Sequence, residues 1–177
     1  ECTRRIIDSP TAIDEIKKFI ADKELSADSR FIPTRRNEFG KKMAVVGAGP
    51  AGLSCAYFLA LDGYKVTVFE KQKKLGGMQT LGIPSFRLEK EVVNAEIDIL
   101  REMGVEFITG VEVGKDLTLD GLRSEGFKAI YLAIGAQGGR KLGVEGEDAA
   151  GVFAGVDFLR SVNLGEEIKL SGKVVVI

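Results

Sequence analysis

Histidine is missing from all 177 residues. Its absence removes imidazole as a general base, as the partner of a nucleophile and as a metal ligand, which argues against hydrolytic triads and most zinc sites. Cysteine is nearly missing too. Cys2 and Cys55 lie far apart, and one such pair in a chain whose start has no apolar signal core points to thiols rather than a disulfide. No run approaches the roughly 20 apolar residues that cross a bilayer, so the expectation is a cytoplasmic protein without a membrane partner. Charge of one sign is also lacking: 25 lysines and arginines stand against 26 aspartates and glutamates. That balance creates no field favouring nucleic acid, and partners must be recognised locally. What is abundant is glycine, 22 residues against 4 prolines, set between apolar runs where tight turns and close backbone approaches need it. With 45% hydrophobic residues the chain can bury the core of one ordinary domain and a small appendage.

Between Ser9 and Leu25, Ile13, Ile16 and Ile20 recur at helical spacing, which predicts one amphipathic helix with Ser9 or Thr11 as N-cap and Pro10 in its first turn. Residues 26–42 are polar, broken by Pro33 and Gly40, and read as a linker. From Met43 a short apolar run meets a glycine turn, then a small-residue helix runs from about Pro50 to Leu61, and KVTVF (Lys65–Phe69) gives a second strand. Strand, helix and strand make a right-handed β-α-β unit of about 30 residues. The alternation continues. Glu89–Met103 places Val93, Ile97 and Leu100 on one helical face, and Val105–Ile108 is a strand. A short helix capped by Thr118, with Leu119 and Leu122 inward, precedes KAIYLAI (Lys128–Ile134), an apolar run expected of a strand buried on both faces. Val156–Val162 reads as a helix and KVVVI (Lys173–Ile177) as the start of a further strand.

The run VVGAGPAG supplies Gly47, Gly49 and Gly52 in the G-x-G-x-x-G pattern, after a strand and opening a helix, the setting that gives this motif its meaning. Gly47 permits the turn, Gly49 lets backbone approach a pyrophosphate, and Gly52 lets the helix pack closely on the sheet. The helix N-terminus, with unpaired amide groups and partial positive charge, then stabilises phosphate oxygens without a lysine. Glu70 ends the next strand, where a carboxylate can accept hydrogen bonds from both ribose hydroxyls of an adenosine and repel a 2′-phosphate. Dinucleotide binding is the expectation. Cys55, three residues after Gly52, is expected on the sheet-facing side as a small core residue.

Five segments carry the pattern nearly end to end: Cys2-Thr3-Arg4-Arg5 followed by Ser9-Pro10-Thr11-Ala12-Ile13, VVGAGPAGLSCAYFLALDGYKVTVFE, KLGGMQTLGIPSFRL, YLAIGAQ and GKVVVI. Together they resemble the small subunit of NADPH-dependent glutamate synthase and the related flavin domain of dihydropyrimidine dehydrogenase. The likeness to adrenodoxin reductase and the thioredoxin-reductase-like flavoproteins is more distant. The resemblance implies that this first glycine fingerprint binds FAD, with Gly47, Ala48, Gly49, Pro50 and Ala51 on the pyrophosphate and Glu70 on the adenosine ribose. It implies that residues 71–78 follow the cofactor, Lys71 and Met78 beside it and Gly76 and Gly77 letting the chain pass close. Arg87 would pair with phosphate or flavin carbonyl oxygens, and the backbone at Val113 would meet the adenine end. Gly135 would mark the strand-end turn, where Ile134 replaces the family's threonine.

The family also carries a second glycine fingerprint for NADPH directly after a strand like KVVVI, and a cysteine-rich N-terminal region that holds iron-sulphur clusters. Cys2 resembles the last ligand of one such motif; a cluster needs about four thiolates, so Cys2 by itself is expected to be a free thiol. The resemblance thus implies three regions. Residues 1–40 are a helical remnant of the iron-sulphur region plus linker, 41–150 an α/β, Rossmann-like FAD-binding domain with a parallel sheet, and 151–177 a connection and first strand of an NADPH-binding domain. The implied activity is a relay: hydride from NADPH to flavin, then single electrons toward iron-sulphur clusters and a large partner subunit. No catalytic side chain is expected, because the cofactor carries the chemistry. Two other readings compete. One is a dinucleotide-binding module, for FAD or NAD, that does not turn over; the other is an NAD-dependent dehydrogenase, in which the LGG and IPSFR segments have no role.

Overall fold

The apolar runs beyond residue 41 pair as a four-stranded parallel sheet in a computed structural model that describes residues 2–177. The strands are β1 (Lys42–Val46), β2 (Lys65–Glu70), β3 (Glu106–Thr109) and β4 (Phe127–Leu132), ordered β3-β2-β1-β4. In this register Val46 stands opposite Phe69 on one side and Leu132 on the other, and Glu70 opposite Thr109. The helices are α1 (Ile13–Leu25), α2 (Pro50–Asp62), α3 (Met78–Leu81), α4 (Lys90–Glu102), α5 (Leu119–Ser124) and α6 (Gly155–Leu164). Parallel neighbours require crossovers, which α2, α4 and α5 supply. This is the expected α/β architecture.

Side-chain size decides how closely the layers approach. On α2 the buried positions are Gly52, Ala56 and Ala60, one stripe at four-residue spacing, and their small size lets the helix lie directly on β1 and β2. On α4 the inward stripe is Val93, Ile97 and Leu100. Between helices and sheet, Val45, Val66 and Val68 are at most 2% exposed. The opposite face carries Ala44, Phe69, Leu122 and Phe127, with the two phenylalanine rings edge to face at 5.7 Å. A fully buried valine is worth about 1.5–3 kcal/mol and a helix cap about 1 kcal/mol, so layer packing dominates. The cap is nonetheless measurable. Thr118 accepts a hydrogen bond from the Gly121 amide at 3.0 Å, and Thr118→Ala is expected to lower the free energy of unfolding by about 1 kcal/mol, read from the denaturant midpoint.

Several expectations are corrected. The first helix starts at Ile13 with Ala12 as N-cap, not at Ser9 or Thr11; the Thr11 hydroxyl instead accepts from the Cys2 thiol at 3.8 Å. Ile13, Ile16 and Ile20 do share a face, but no residue of α1 is buried. KAIYLAI is not enclosed on both faces: Tyr131 is 44% and Leu132 57% exposed. The reason is position, because β4 is an edge strand paired only with β1 and its C-terminal half borders open space. Leu122 is fully buried under the sheet whereas Leu119, at the start of the same short helix, is 37% exposed. Cys55 lies one position off the buried stripe of α2 and is half-buried, and that partial burial pushes its thiol pKa up. Residues 173–177 do not form a strand, since a strand needs a ladder partner and none of the described strands runs beside them.

The chain divides into two compact units, the first ending at Ile32 and the second spanning Pro33–Ile177. The division precedes the expected boundary at residue 40 because Arg35 donates to the Met103 carbonyl and Arg36 to Asp62. α6 belongs to the second unit, where the Asn163 amide donates to the Leu81 carbonyl. In the first unit Glu24 binds the Arg30 guanidinium at 2.8 Å, which holds that carboxyl below the usual carboxylate range.

Candidate dinucleotide-binding site

The glycine loop between β1 and α2 forms because three backbone positions tolerate no side chain or need none. Gly47 has φ +105°, and a Cβ there would come within 2.3 Å of the Ala133 carbonyl oxygen. A Cβ on Gly52 would lie 1.8 Å from the Gly47 oxygen and 3.2 Å from Val45 Cγ1, so helix and strand touch through bare backbone. Gly49 is different. Its backbone is extended and a Cβ would meet nothing nearer than Gly77 Cα at 3.9 Å. The space at Gly49 opens onto a crevice of about 740 Å³, a volume in the range of cofactor sites.

The crevice lies at the C-terminal ends of β1, β2 and β4, as ligand sites of open parallel sheets do. Gly47, Gly49, Pro50 and Ala51 form its floor. Pro50 opens α2, and the amide groups of that first turn have no acceptor within the helix, which leaves donors and a positive dipole end at the crevice. One wall is Glu70 with Lys71 and Val113; another is Gly77 with Met78; the third is Gly135 after β4. Gly77 has φ +54° and a Cβ on it would stand 2.7 Å from Gly49 Cα, so the two glycine backbones close on each other. Gly76 lines no part of the crevice but ties its loop to the floor, its amide donating to the Ala48 carbonyl at 2.9 Å. Gly52 and Ala48 are buried beneath it.

Glu70 is the central side chain. It is 6% exposed, and its carboxylate accepts from the Ala48 amide at 2.8 Å and from the Gln72 amide at 2.9 Å, one bond on each oxygen. The carboxylate therefore clamps the glycine loop to the end of β2. Four acceptor positions on a carboxylate, less these two, leave one on each oxygen for hydroxyl donors in the crevice. Close by, Lys71 pairs loosely with Glu112 at 3.9 Å, both half exposed, a contact worth little in solvent.

Two of the residues implied by resemblance are not brought here. Arg87 is exposed and outside the crevice lining, its amide bonded to the Pro84 carbonyl. Cys2 lies in the first unit, and among the described residues no three histidine, cysteine, aspartate or glutamate side chains gather where a metal ion could sit. Hydrogen bonds from the Thr11 and Arg4 backbone hold the Cys2 thiol pKa below its ordinary value. Conversely Tyr131, Leu132 and Gln137 line the crevice without having been singled out. Their signal was available: Tyr131 and Leu132 end β4, which pairs with β1, and Gln137 follows it, at the strand end where such folds place ligands.

Comparison with known proteins agrees with this geometry. Residues 45–100 match the model of an NAD(P)-binding Rossmann-like domain. The chain is 38% identical to the Escherichia coli glutamate synthase [NADPH] small chain across 99% of its own length and 39% of that protein. Over nearly its whole length, the chain is homologous to the glutamate synthase small chain. That homology bears out the resemblance read from the sequence segments. The same stretch is 38% identical to the NADP(+)-dependent formate dehydrogenase subunit beta of Moorella thermoacetica, over 99% of this chain and 28% of that one. Mycobacterium tuberculosis FprA in complex with NADPH superposes with a TM-score of 0.61 at 27% identity, over 70% of this chain and 29% of FprA. The chain thus spans well under half the length of these relatives. Among the described residues no helix is long and apolar enough to cross a membrane.

Proposed function

We propose that the crevice binds FAD, its pyrophosphate at the N-terminus of α2 and its adenosine ribose against Glu70. In a protein of the relatives' length, this part would serve a cytoplasmic oxidoreductase that relays electrons between NADPH and iron-sulphur clusters, with a larger catalytic subunit as partner. The observation that carries the reading is the position of Glu70, buried at the end of β2 against the glycine loop with one acceptor site left on each carboxylate oxygen. The residues present fit the group: a Cβ on Gly49 would occupy the space a diphosphate needs, and no acidic side chain lies on the floor formed by Gly47 to Ala51. Bound FAD would supply two-electron acceptance and one-electron release. The chain's own residues bind and orient: the first-turn amides of α2 hold the anion, Gly77 and Met78 flank the middle of the cofactor, Val113 borders the adenine end, and Gly135 lets the chain turn away after β4. Lys71 and the Gly76 backbone shape the loop around it. Arg87 is not needed by this arrangement.

A second reading, NAD in the same loop, is favoured by the description of the matching domain model. Uptake separates the two. The purified chain is expected to take up FAD, with quenched flavin fluorescence and protein-bound flavin absorbance, and to release it to excess ADP, which shares the adenosine and diphosphate. A chain that takes up NAD and leaves FAD free would overturn the FAD reading. Gly49→Ala supplies a sharper check, because its Cβ meets no protein atom closer than 3.9 Å. Stability is expected to fall by only about 1 kcal/mol, since alanine is a poorer helix N-cap than glycine but meets no clash here. FAD affinity is expected to fall about tenfold or more, because the added methyl takes space that backbone must yield to phosphate.

A further inference from the structure

Residues 71–81 form a wall with two sides. Lys71 and Met78 line the crevice, while Lys73, Lys74 and Thr80 line a second cavity of about 510 Å³ on the other side. Four cationic side chains border that cavity, Lys73, Lys74, Lys90 and Arg101, and no aspartate or glutamate is among its lining residues. Among the described residues none of the three lysines forms an ion pair. Lys74 donates to the Asn163 carbonyl at 2.6 Å, and Lys90 to the carbonyls of Gln79, at 2.9 Å, and Ile83. These acceptors are neutral. Only Arg101 has a carboxylate, that of Asp98, and Lys73 has no hydrogen-bond or ion-pair partner among the described residues. Each ammonium carries three N–H donors, so two remain on Lys74, one on Lys90 and three on Lys73.

Two more observations bear on the cavity. Burial makes Lys90 hold its proton less firmly than usual; the charge of Glu91 opposes that shift, and the charge of Lys74 reinforces it. Like charges are therefore close enough to feel one another. Thr80, 6% exposed, has a hydroxyl without a partner among the described residues. Cations converging on a concave, partly apolar space, with donors open to solvent, focus a positive potential that concentrates anions there.

We propose that this cavity is a binding site for a phosphate-bearing small molecule. A phosphate group accepts hydrogen bonds from several sides at once and carries up to two charges, which matches donors arriving from the 73–74 segment, from α4 through Lys90 and Arg101, and from Asn94 on the same helix. The cavity exceeds what one phosphate fills, so the molecule has an organic or second phosphate portion that reaches the apolar side formed by Val105 and Phe107. The glycine loop does not take part. Its crevice shares only the 71–81 wall, and none of the cations of the second cavity lines it.

The test is calorimetric titration of the full chain with inorganic pyrophosphate at low ionic strength. One saturable site is expected, weakened as salt rises because Lys73 is exposed. Lys73→Gln is expected to reduce affinity about fivefold and Lys73→Glu about twentyfold, modest factors set by solvent screening. The Lys73 ammonium makes no hydrogen bond or ion pair among the described residues, so neither change endangers the fold, and Lys141→Gln, at a lysine outside the cavity lining, is expected to leave the titration unaltered. No saturable heat would refute the site. So would pyrophosphate that binds equally well to Lys73→Glu, which would place it on the glycine loop instead.

Discussion

Glu70→Ala is expected to weaken FAD binding about a hundredfold or more and to destabilise the folded chain by about 2–4 kcal/mol. Both effects follow from one carboxylate. Inside the protein it satisfies the amides of Ala48, which is fully buried, and Gln72. A buried donor left unmatched costs about 1–3 kcal/mol, and bonds to a charged acceptor are at the upper end of the range. On the crevice side its remaining acceptor positions would be lost to the ribose hydroxyls, and two charge-assisted bonds at about 1.5 kcal/mol each account for the hundredfold change. Glu70→Gln divides the two roles. Its amide oxygen keeps one of the loop amides, but its NH2 meets the other donor head-on, so stability is expected to fall by less than in the alanine variant while affinity still drops about tenfold. Denaturant unfolding and flavin fluorescence titration read the two quantities separately. If Glu70→Ala bound FAD as tightly as the native chain, the assignment of the adenosine end to this strand tip would fail.

The second large effect is expected at Gly52. Alanine there would put Cβ 1.8 Å from the Gly47 carbonyl oxygen and 3.0 Å from its carbon. Neither is the end of a flexible side chain that can step aside. Helix α2 would have to lift from β1, opening the contact that Val45, Ala56 and Ala60 now fill. Overpacking of a tight core usually costs about 1–3 kcal/mol, and a backbone clash belongs at or above the upper limit, so a loss of about 3 kcal/mol or more is expected. The contrast with Gly49→Ala is diagnostic. Two glycines three residues apart in one motif should separate cleanly, one governing folding and the other governing ligand access, when thermal midpoints and FAD affinities are measured on both. Equal stability losses in the two variants would mean that the loop is shaped otherwise.

Much of the fold was legible because its causes are local. The small residues of α2, the β-branched run of β2 and the stripe Val93, Ile97, Leu100 on α4 each declare an element and its inward face within a few residues of sequence. Thr118 was readable as a cap for the same reason. Burial was less legible. KAIYLAI has the composition of an enclosed strand, yet enclosure depends on which neighbours a strand acquires, and β4 acquires only β1. KVVVI has β propensity and no ladder partner among the described strands. Cys55 missed the buried stripe by one position, a rotation of about 100° around a helix, which periodicity resolves poorly when every residue nearby is small or apolar.

The sequence by itself determined the parallel α/β alternation, the glycine loop and the acidic strand end, because a positive φ at Gly47, a bare contact at Gly52 and the reach of a carboxylate are fixed by residue type and spacing. Only the tertiary structure decided that Glu70 spends half its acceptor capacity holding the loop, that Arg87 stands outside the crevice, and that lysines from residues 73, 74 and 90 converge with Arg101 around a second cavity. These are meetings between segments far apart in the chain. Strand order and helix packing set them, and both follow from the summed burial of many side chains rather than from any one local pattern.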